Sequence, residues 1–444
     1  MAVLTLGPAL PGERKRSQRG PLGILLCLLV LALIGSSGLL SQRSRIATLP
    51  LDALAVAVGA GGGLVEVAAV DGLVPGSRVV AGMPDSLDLA REQVAWLGKG
   101  TVPSVAGLNS DLVATALLDL HVLSRPHGVA VAGWSEPWRY VWPRDAALVA
   151  SALARTGHYV DAERIVGFLQ RVQPESGLFQ ARYLPDGSGV PDSRGIELDG
   201  IGWALWATDQ VAAELNQADR TAFLKRHRRL IDRSTQAALS SISTPSSLPP
   251  ASADYWEVKE KRLTLATAAV VCAGLESSAQ LYQSLGEVDN THAAAGGATR
   301  LRAAIKRDFG HNGYPRHLGG GSDSVDLGVD FLLPPLGSDV DETVVRAWQR
   351  AAAFMSRPAG GLAPGGSWRR DGVSWTNATA SRAMTAAFIG HREEALARLR
   401  WLDQHRTAAG SLPEKVLPNG QPAAVSPLAW TAAAVVITAD QLSS

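Results

Sequence analysis

From Leu108 to the end of the chain, apolar residues recur at three- and four-residue spacing, and no run alternates strongly enough to suggest a sheet. The pattern predicts helices near 108–123, 144–156, 160–173, 198–215, 219–240, 262–284, 291–308, 340–355, 376–389, 392–406 and 425–441, eleven with room for a twelfth. They are of two kinds. Leu263 to Leu275 and Leu428 to Ile437 are apolar nearly all round, as helices buried on every side must be, whereas His391 to Leu399 carries one charged face. Concentric rings of buried and half-exposed helices satisfy both patterns. The expected fold is therefore all-α, an α/α barrel with its working loops gathered at one rim.

Upstream the pattern shortens. Between residues 46 and 105, short apolar runs such as Leu54 to Val58 and Leu64 to Val67 alternate with glycine and proline, which predicts hairpins or irregular strands. The glycine run 59–63 lacks the third glycine of a dinucleotide loop, and a strand-like run follows where a helix would be needed. Residues 41–107 thus read as a linker with a small β/loop region, ahead of a helical domain over 108–444.

Residues 21–40, PLGILLCLLVLALIGSSGLL, hold no charge over a length that spans about 30 Å as a helix, the thickness of a bilayer core. Arg14, Lys15, Arg16 and Arg19 precede it, so the positive-inside rule places the basic tail 1–20 in the cytoplasm and the bulk outside. A cleaved signal peptide shares the basic start, but no clear small-x-small cleavage site follows the apolar run. The expectation is a single-pass cell-membrane protein with an extracytoplasmic domain.

Composition narrows the chemistry by exclusion. With 42 basic against 41 acidic residues and a net charge of +1, no global field would recruit nucleic acid. The cluster Lys225 to Arg229 reads as a solvated helix face. Cys27 falls in the apolar segment and Cys272 in a later helix, which leaves no disulfide to the helical domain. None of the nine histidines forms a zinc pattern, and there is no Gly-x-Ser-x-Gly elbow or phosphate-cradling loop, so neither metal nor cofactor is expected. Asn377-Ala378-Thr379 is a formal glycosylation sequon.

Two glutamates stand out. Glu257, in Asp254-Tyr255-Trp256-Glu257, and Glu414, in Ser411-Leu412-Pro413-Glu414-Lys415, each lie in a proline- and serine-rich loop before a wholly apolar helix. Either one alone reads as a carboxylate favoured by a helix dipole. Together, at one rim, two carboxyl groups are the minimum equipment for cleaving a glycosidic bond by acid and base. Trp142-Pro143-Arg144-Asp145 opens another helix, with proline where a missing N–H costs nothing. Trp142 offers a flat apolar face to a sugar ring, and the adjacent Arg144 and Asp145 can donate to and accept from its hydroxyls.

Trp-Pro-Arg-Asp, Asp-Tyr-Trp-Glu and Gly-Ser-Leu-Pro-Glu, in that order, resemble the glucoamylase family, glycoside hydrolase family 15, over roughly residues 108–444, in its bacterial glucoamylase-like and trehalase-like branch. The resemblance implies an (α/α)6 barrel and inverting, exo-acting release of glucose from α-glucosides such as maltodextrin, isomalto-oligosaccharide or trehalose. It implies Glu257 as general acid and Glu414 as general base, with Arg144 and Asp145 gripping the glucose. Trp256 precedes the acid, Trp430 matches a tryptophan packed near the base, and Asp199 and Arg369 are further substrate-binding candidates. For the two glutamates to play opposite parts their pKa values must differ, and burial against Trp256 would raise that of Glu257. The chain also departs from the pattern. Val258 stands where fungal members carry a second glutamate, and Trp138 where they place a tyrosine near the nucleophilic water, so that either Tyr140 substitutes or the water is placed differently. These departures motivate a rival reading, a non-catalytic cell-surface glycan-binding or envelope-assembly protein on the same barrel.

Overall fold

The computed structural model describes residues 53–443. The apolar segment 21–40 lies outside them, and among the described residues no helix is long and apolar enough to cross a membrane. A hairpin of β1 (Ala55–Val58) and β2 (Leu64–Val67) is followed by α1 (Ser86–Leu97) and α2 (Leu112–Ser124). Then come α3 (Pro143–Arg155), α4 (Tyr159–Val172), α5 (Gly200–Ala213), α6 (Gln217–Arg226), α7 (Arg228–Ser241), α8 (Leu265–Leu285) and α9 (Val288–Asp308). The last helices are α10 (Glu342–Met355), α11 (Thr376–Phe388), α12 (Arg392–Gln404) and α13 (Ala429–Ser443).

Around a central ring, α3, α5, α8, the 3-10 segment Leu327–Leu332, α11 and α13 each pack on the next, and α13 returns to α3 to close the circle. Outside it, α4 covers α3, α7 spans α5 and α8, α9 lies on α8, α10 on the 3-10 segment, α12 on α11 and α2 on α13. Six inner elements inside six outer helices make the two rings that the burial pattern predicts. The inner helices are rich in alanine and glycine because neighbouring backbones must approach closely. A Cβ on Gly274 would fall 2.5 Å from the Cα of Gly202, and one on Gly202 would fall 2.1 Å from the Val270 carbonyl oxygen. Larger residues at this crossing would force α5 and α8 apart.

Three features depart from the periodicity reading. The region near 86–97 is a helix, because Trp96 needs a face: its ring stacks on His121 and His158 at 4.2 and 3.9 Å, and its indole N–H donates to Asp161 at 2.8 Å. The predicted helix 219–240 is two, α6 and α7, broken at the buried His227, whose ring meets Glu163 at 3.3 Å. The adjoining basic cluster is partly engaged, since Arg226 pairs with Glu163 and Arg228 with Asp232 and Glu287. One wall of the inner ring, Leu327–Leu332, has no helical signal at all. Asp326 caps it by accepting from the Gly328 N–H at 2.9 Å, and Pro334 and Pro335 follow its end, so it stays one short segment.

Candidate active site

Every inner helix begins at the same rim. The N-termini of α3, α5, α8, α11 and α13 and the loops feeding them carry Trp142 to Asp145, Glu197 and Asp199, Asp254 to Glu257, Trp375, and Glu414 to Trp430. Converging helix N-termini favour negative charge, which suits a rim holding six carboxylates.

Arg144 and Asp145, in the first turn of α3, are both buried and lie between the two glutamates. The Arg144 guanidinium is 3.6 Å from Glu257 Oε1, 3.5 Å from Glu197 Oε2 and 3.3 Å from Asp145 Oδ2, and it stacks 4.9 Å over the Trp430 ring. Burial pushes the Asp145 carboxyl up, opposed by Arg144, and the charge of Glu414 adds to the rise. Arg144 thus meets Glu257 directly, while Asp145 is near enough for the charge of Glu414 to act on it.

Glu257 closes a tight turn in which its N–H donates to the Asp254 carbonyl at 2.7 Å, with the backbone at φ 55°. A left-handed conformation at a non-glycine residue costs roughly 1–3 kcal/mol and persists only where its surroundings enforce it. The enforcing group is Arg316. Fully buried, it pairs with Asp254 at 2.9 Å, Glu260 at 2.7 Å and Asp326 at 2.5 Å, and its guanidinium lies 3.7 Å over the Trp256 ring. Trp256 is consequently turned onto Arg316 and, at 4.6 Å, Trp368. The expected burial of Glu257 against Trp256 is not what the structure shows: the Glu257 side chain is 25% exposed and meets two guanidiniums, those of Arg144 and Arg194.

Glu414 is buried and backbone-pinned. Its N–H donates to the Val425 carbonyl at 2.8 Å and its carbonyl accepts from the Thr376 N–H at 3.0 Å. It directly precedes β4 (Lys415–Val416), the middle strand of a small antiparallel sheet with β3 (Ser374–Trp375) and β5 (Pro422–Ala423). The Lys415 ammonium sits 2.9 Å from Glu414 Oε2 and 4.3 Å over the Trp375 ring.

Asp199 directly precedes α5, fully buried, and its carboxylate accepts from the Trp203 indole N–H at 3.2 Å. Burial raises its carboxyl to about 6, and burial pushes the neighbouring Glu197 well above its ordinary value. Trp142 is buried, with Arg182 over its ring, and the Trp430 indole N–H donates to Ser381 at 2.9 Å. Arg369 is not drawn into the cup. It is exposed, with its guanidinium 5.7 Å from the centre of the Trp368 ring. Tyr140 is likewise engaged elsewhere, under the guanidinium of Arg182 at 4.3 Å.

Many polar atoms at this rim are buried without a partner: the indole nitrogens of Trp142, Trp256, Trp368 and Trp375, Nε of Arg144, Asp199 Oδ1 and Asp254 Oδ2. Donors and acceptors interleaved in this way complement a ligand dense in hydroxyl groups. A cavity of about 680 Å³ opens elsewhere, against the C-terminal halves of α5 and α8, where Glu276 and Asp341 are already paired with Arg302 and Lys306. Among the described residues no cluster of His, Cys, Asp and Glu has the arrangement of a metal site.

Sequence reasoning did not single out Glu197, Arg194, Arg316, Trp368 or Trp375. The one local signal was Gly195-Ile196-Glu197-Leu198-Asp199-Gly200, two acids between glycines directly ahead of an apolar helix.

No protein-family model matches the chain. Isomaltose glucohydrolase from Kribbella flavida (strain DSM 17836 / JCM 10339 / NBRC 14399) is 25% identical over 343 residues, 68% of this chain and 84% of its own. A wild-type glycosidase structure is similar with a TM-score of 0.64 at 21% identity, covering 79% of this chain and 98% of its own, and the same glycosidase is known as a glutamate-to-alanine variant in complex with glucose. The family 15 glucoamylase of Hypocrea jecorina is similar with a TM-score of 0.55 at 14% identity, covering 75% of this chain and 71% of its own. These likenesses establish the fold, the (α/α)6 barrel of glucoamylases, and all three proteins are glycoside hydrolases, in agreement with the resemblance carried by the three motifs.

Proposed function

We propose that the protein is a glucoamylase-like glycoside hydrolase that releases glucose from the non-reducing ends of α-glucosides with inversion, Glu257 acting as general acid and Glu414 as general base. The observation that carries this reading is the placement of the two glutamates at either end of Arg144-Asp145, in one cup of unpartnered indole, guanidinium and carboxyl atoms. In that cup Arg144, Asp145 and Asp199 hold the hydroxyls of one glucose unit, and Trp142 and Trp430 bound its apolar faces. A neutral Glu257 gives its proton to the glycosidic oxygen as the C1–O bond breaks. On the far face of the ring, Glu414 takes a proton from the water that attacks C1.

Two variants of the similar glycosidase support the assignment of the pair. Each replaces a different glutamate, and their separation along that chain equals that of Glu257 and Glu414 along this one. Isomaltose, the sugar in the name of the Kribbella relative, is the first disaccharide to try. The apolar segment 21–40 would anchor the barrel on the outer side of the cell membrane.

The test is proton NMR of the purified full-length chain with isomaltose, maltose, trehalose and maltodextrin, alongside Glu257→Gln. β-Glucose as the first product, lost in the variant, is the expected result. Saturable sugar binding with no turnover on any of the four would replace this reading with the glycan-binding one.

A further inference from the structure

Both oxygens of Glu257 face a guanidinium, but the two arginines are held differently. Arg144 is buried in the cup, and its charge is divided among Asp145, Glu197 and Glu257. Arg194 comes from the loop 184–196, keeps 37% of its side chain exposed and makes direct contact with Glu257 Oε2. It stands at the end of a chain of ion pairs. Asp192 accepts from Arg194 Nε at 3.2 Å and also pairs with Arg182, whose guanidinium donates to the Pro137 carbonyl at 2.7 Å and lies over Tyr140 and Trp142. Gly195 follows in the left-handed region, and the exposed share of the Arg194 side chain faces solvent.

The other charged groups around Glu257 are acids. Burial pushes the carboxyls of Glu197, Asp199 and Asp145 up, toward the neutral form. Asp254 and Glu260 are engaged by Arg316, and Glu260 also meets His317 at 2.9 Å. The two arginines are therefore the dominant charges at Glu257. Opposite charge within about 4–6 Å favours a carboxylate by roughly 1–3 pKa units. Two guanidiniums on one carboxylate favour its ionised form, and that form cannot protonate a leaving group.

We propose that Arg194 is a positioning residue that controls Glu257 from the leaving-group side: its guanidinium clamps the carboxylate in the free protein and gives way when the leaving-group sugar of an α-glucoside enters. The inference rests on the hydrolase reading above. Once Arg194 has turned out, Glu257 takes a proton from solvent and delivers it to the glycosidic oxygen, which leaves it the carboxylate that Arg194 can clamp again, while Glu414 gains a proton from the attacking water and returns it to solvent after the products leave. Coupling the clamp to occupancy of the outer site would favour substrates with a sugar there over glucosides whose leaving group is too small to displace an arginine.

The experiment compares Arg194→Gln and Arg194→Lys with the wild-type full-length protein by two readouts. One is the carboxyl-carbon NMR titration of Glu257 without substrate, its signal assigned by its loss in Glu257→Gln. The other is the pH dependence of kcat/KM and of kcat on an α-linked disaccharide, the first reporting the free protein and the second the complex. Because the acid is active only when protonated, activity falls as pH rises through its pKa. Removing Arg194 should raise the Glu257 titration and the alkaline limb of kcat/KM together by about 1 unit or more, with the limb of kcat unmoved and Arg194→Lys close to wild type. A titration that stays put in Arg194→Gln overturns the clamp, and equal movement of both limbs overturns its release by substrate. Should the wild-type protein hydrolyse no α-glucoside, the hydrolase reading fails on its own, and the NMR titration still decides whether Arg194 holds Glu257.

Discussion

The turn that carries Glu257 and the extended segment that carries Glu414 reach the same rim by different means. The first is held by charge: Arg316, buried among Asp254, Glu260 and Asp326, fixes a left-handed backbone that few local hydrogen bonds support. The second is held mostly by backbone, through Val425, Thr376 and the β3–β4–β5 sheet. It too has a buried arginine brace, Arg78, which pairs with Asp119 at 2.6 Å and donates to the Ala409 carbonyl and to Ser411. That brace has one acid where Arg316 has three. The difference fits the two tasks. Under the proposed roles, a general acid that exchanges protons and meets leaving groups suits a side chain a quarter exposed among charges, and a general base that orients one water suits a buried one on a rigid ladder.

The largest effect should separate the two by chemistry. Either Glu257→Gln or Glu414→Gln should lower kcat by about 10² to 10⁴, and only the Glu257 variant should recover on an α-glucosyl substrate with a good leaving group, such as a fluoride. Recovery of both variants would erase the distinction.

Next comes stability. Arg316→Met leaves three acids without their common cation and should cost about 3–5 kcal/mol in denaturant unfolding, more than Arg78→Met, which strands only Asp119. Equal losses would mean that the number of acids does not distinguish the braces.

A smaller effect tests the charge on the acid's side alone. Burial lifts the Asp199 carboxyl to about 6, so the folded protein binds this proton more tightly than the unfolded chain, and the stability so gained is lost as pH rises from about 4 through 6. Asp199→Asn can still accept from Trp203. Its stability should match wild type near pH 4 and exceed it above pH 6 by up to about 3 kcal/mol. A gap that does not grow with pH would show that Asp199 is not the group titrating. The least change is expected from Thr376→Val, which removes a hydroxyl bonded to Thr431 at 2.8 Å and to the Glu414 carbonyl at 3.2 Å but keeps the Thr376 backbone N–H. About 1 kcal/mol in thermal unfolding is the expected loss, and a much larger one would mean that side chains hold the Glu414 segment more than its ladder does.

The helical content and the two-ring arrangement were legible in the chain, because a helix buried all round and a helix with one wet face have different compositions wherever they fold. Leu428 to Ile437 and His391 to Leu399 carry that contrast in plain view. The two glutamates were legible for a related reason: a carboxylate in a proline-rich loop before an apolar helix has to sit at that helix's N-terminal end. Contacts between distant segments left no such trace. Arg316 and Asp254 are 62 residues apart and Arg194 and Glu257 are 63, and nothing in the local pattern around an arginine tells which carboxylate it will meet. Trp256 shows the same limit, since its place beside Glu257 in sequence suggested a wall for the acid, while packing turned its ring to Arg316 and Trp368. Periodicity is a property of neighbours along the chain and survives in any fold that buries the same face. The electrostatics of the site depend on which helix ends converge, and only closure of the inner ring, α13 against α3, brings Arg144 and Asp145 between the two carboxylates.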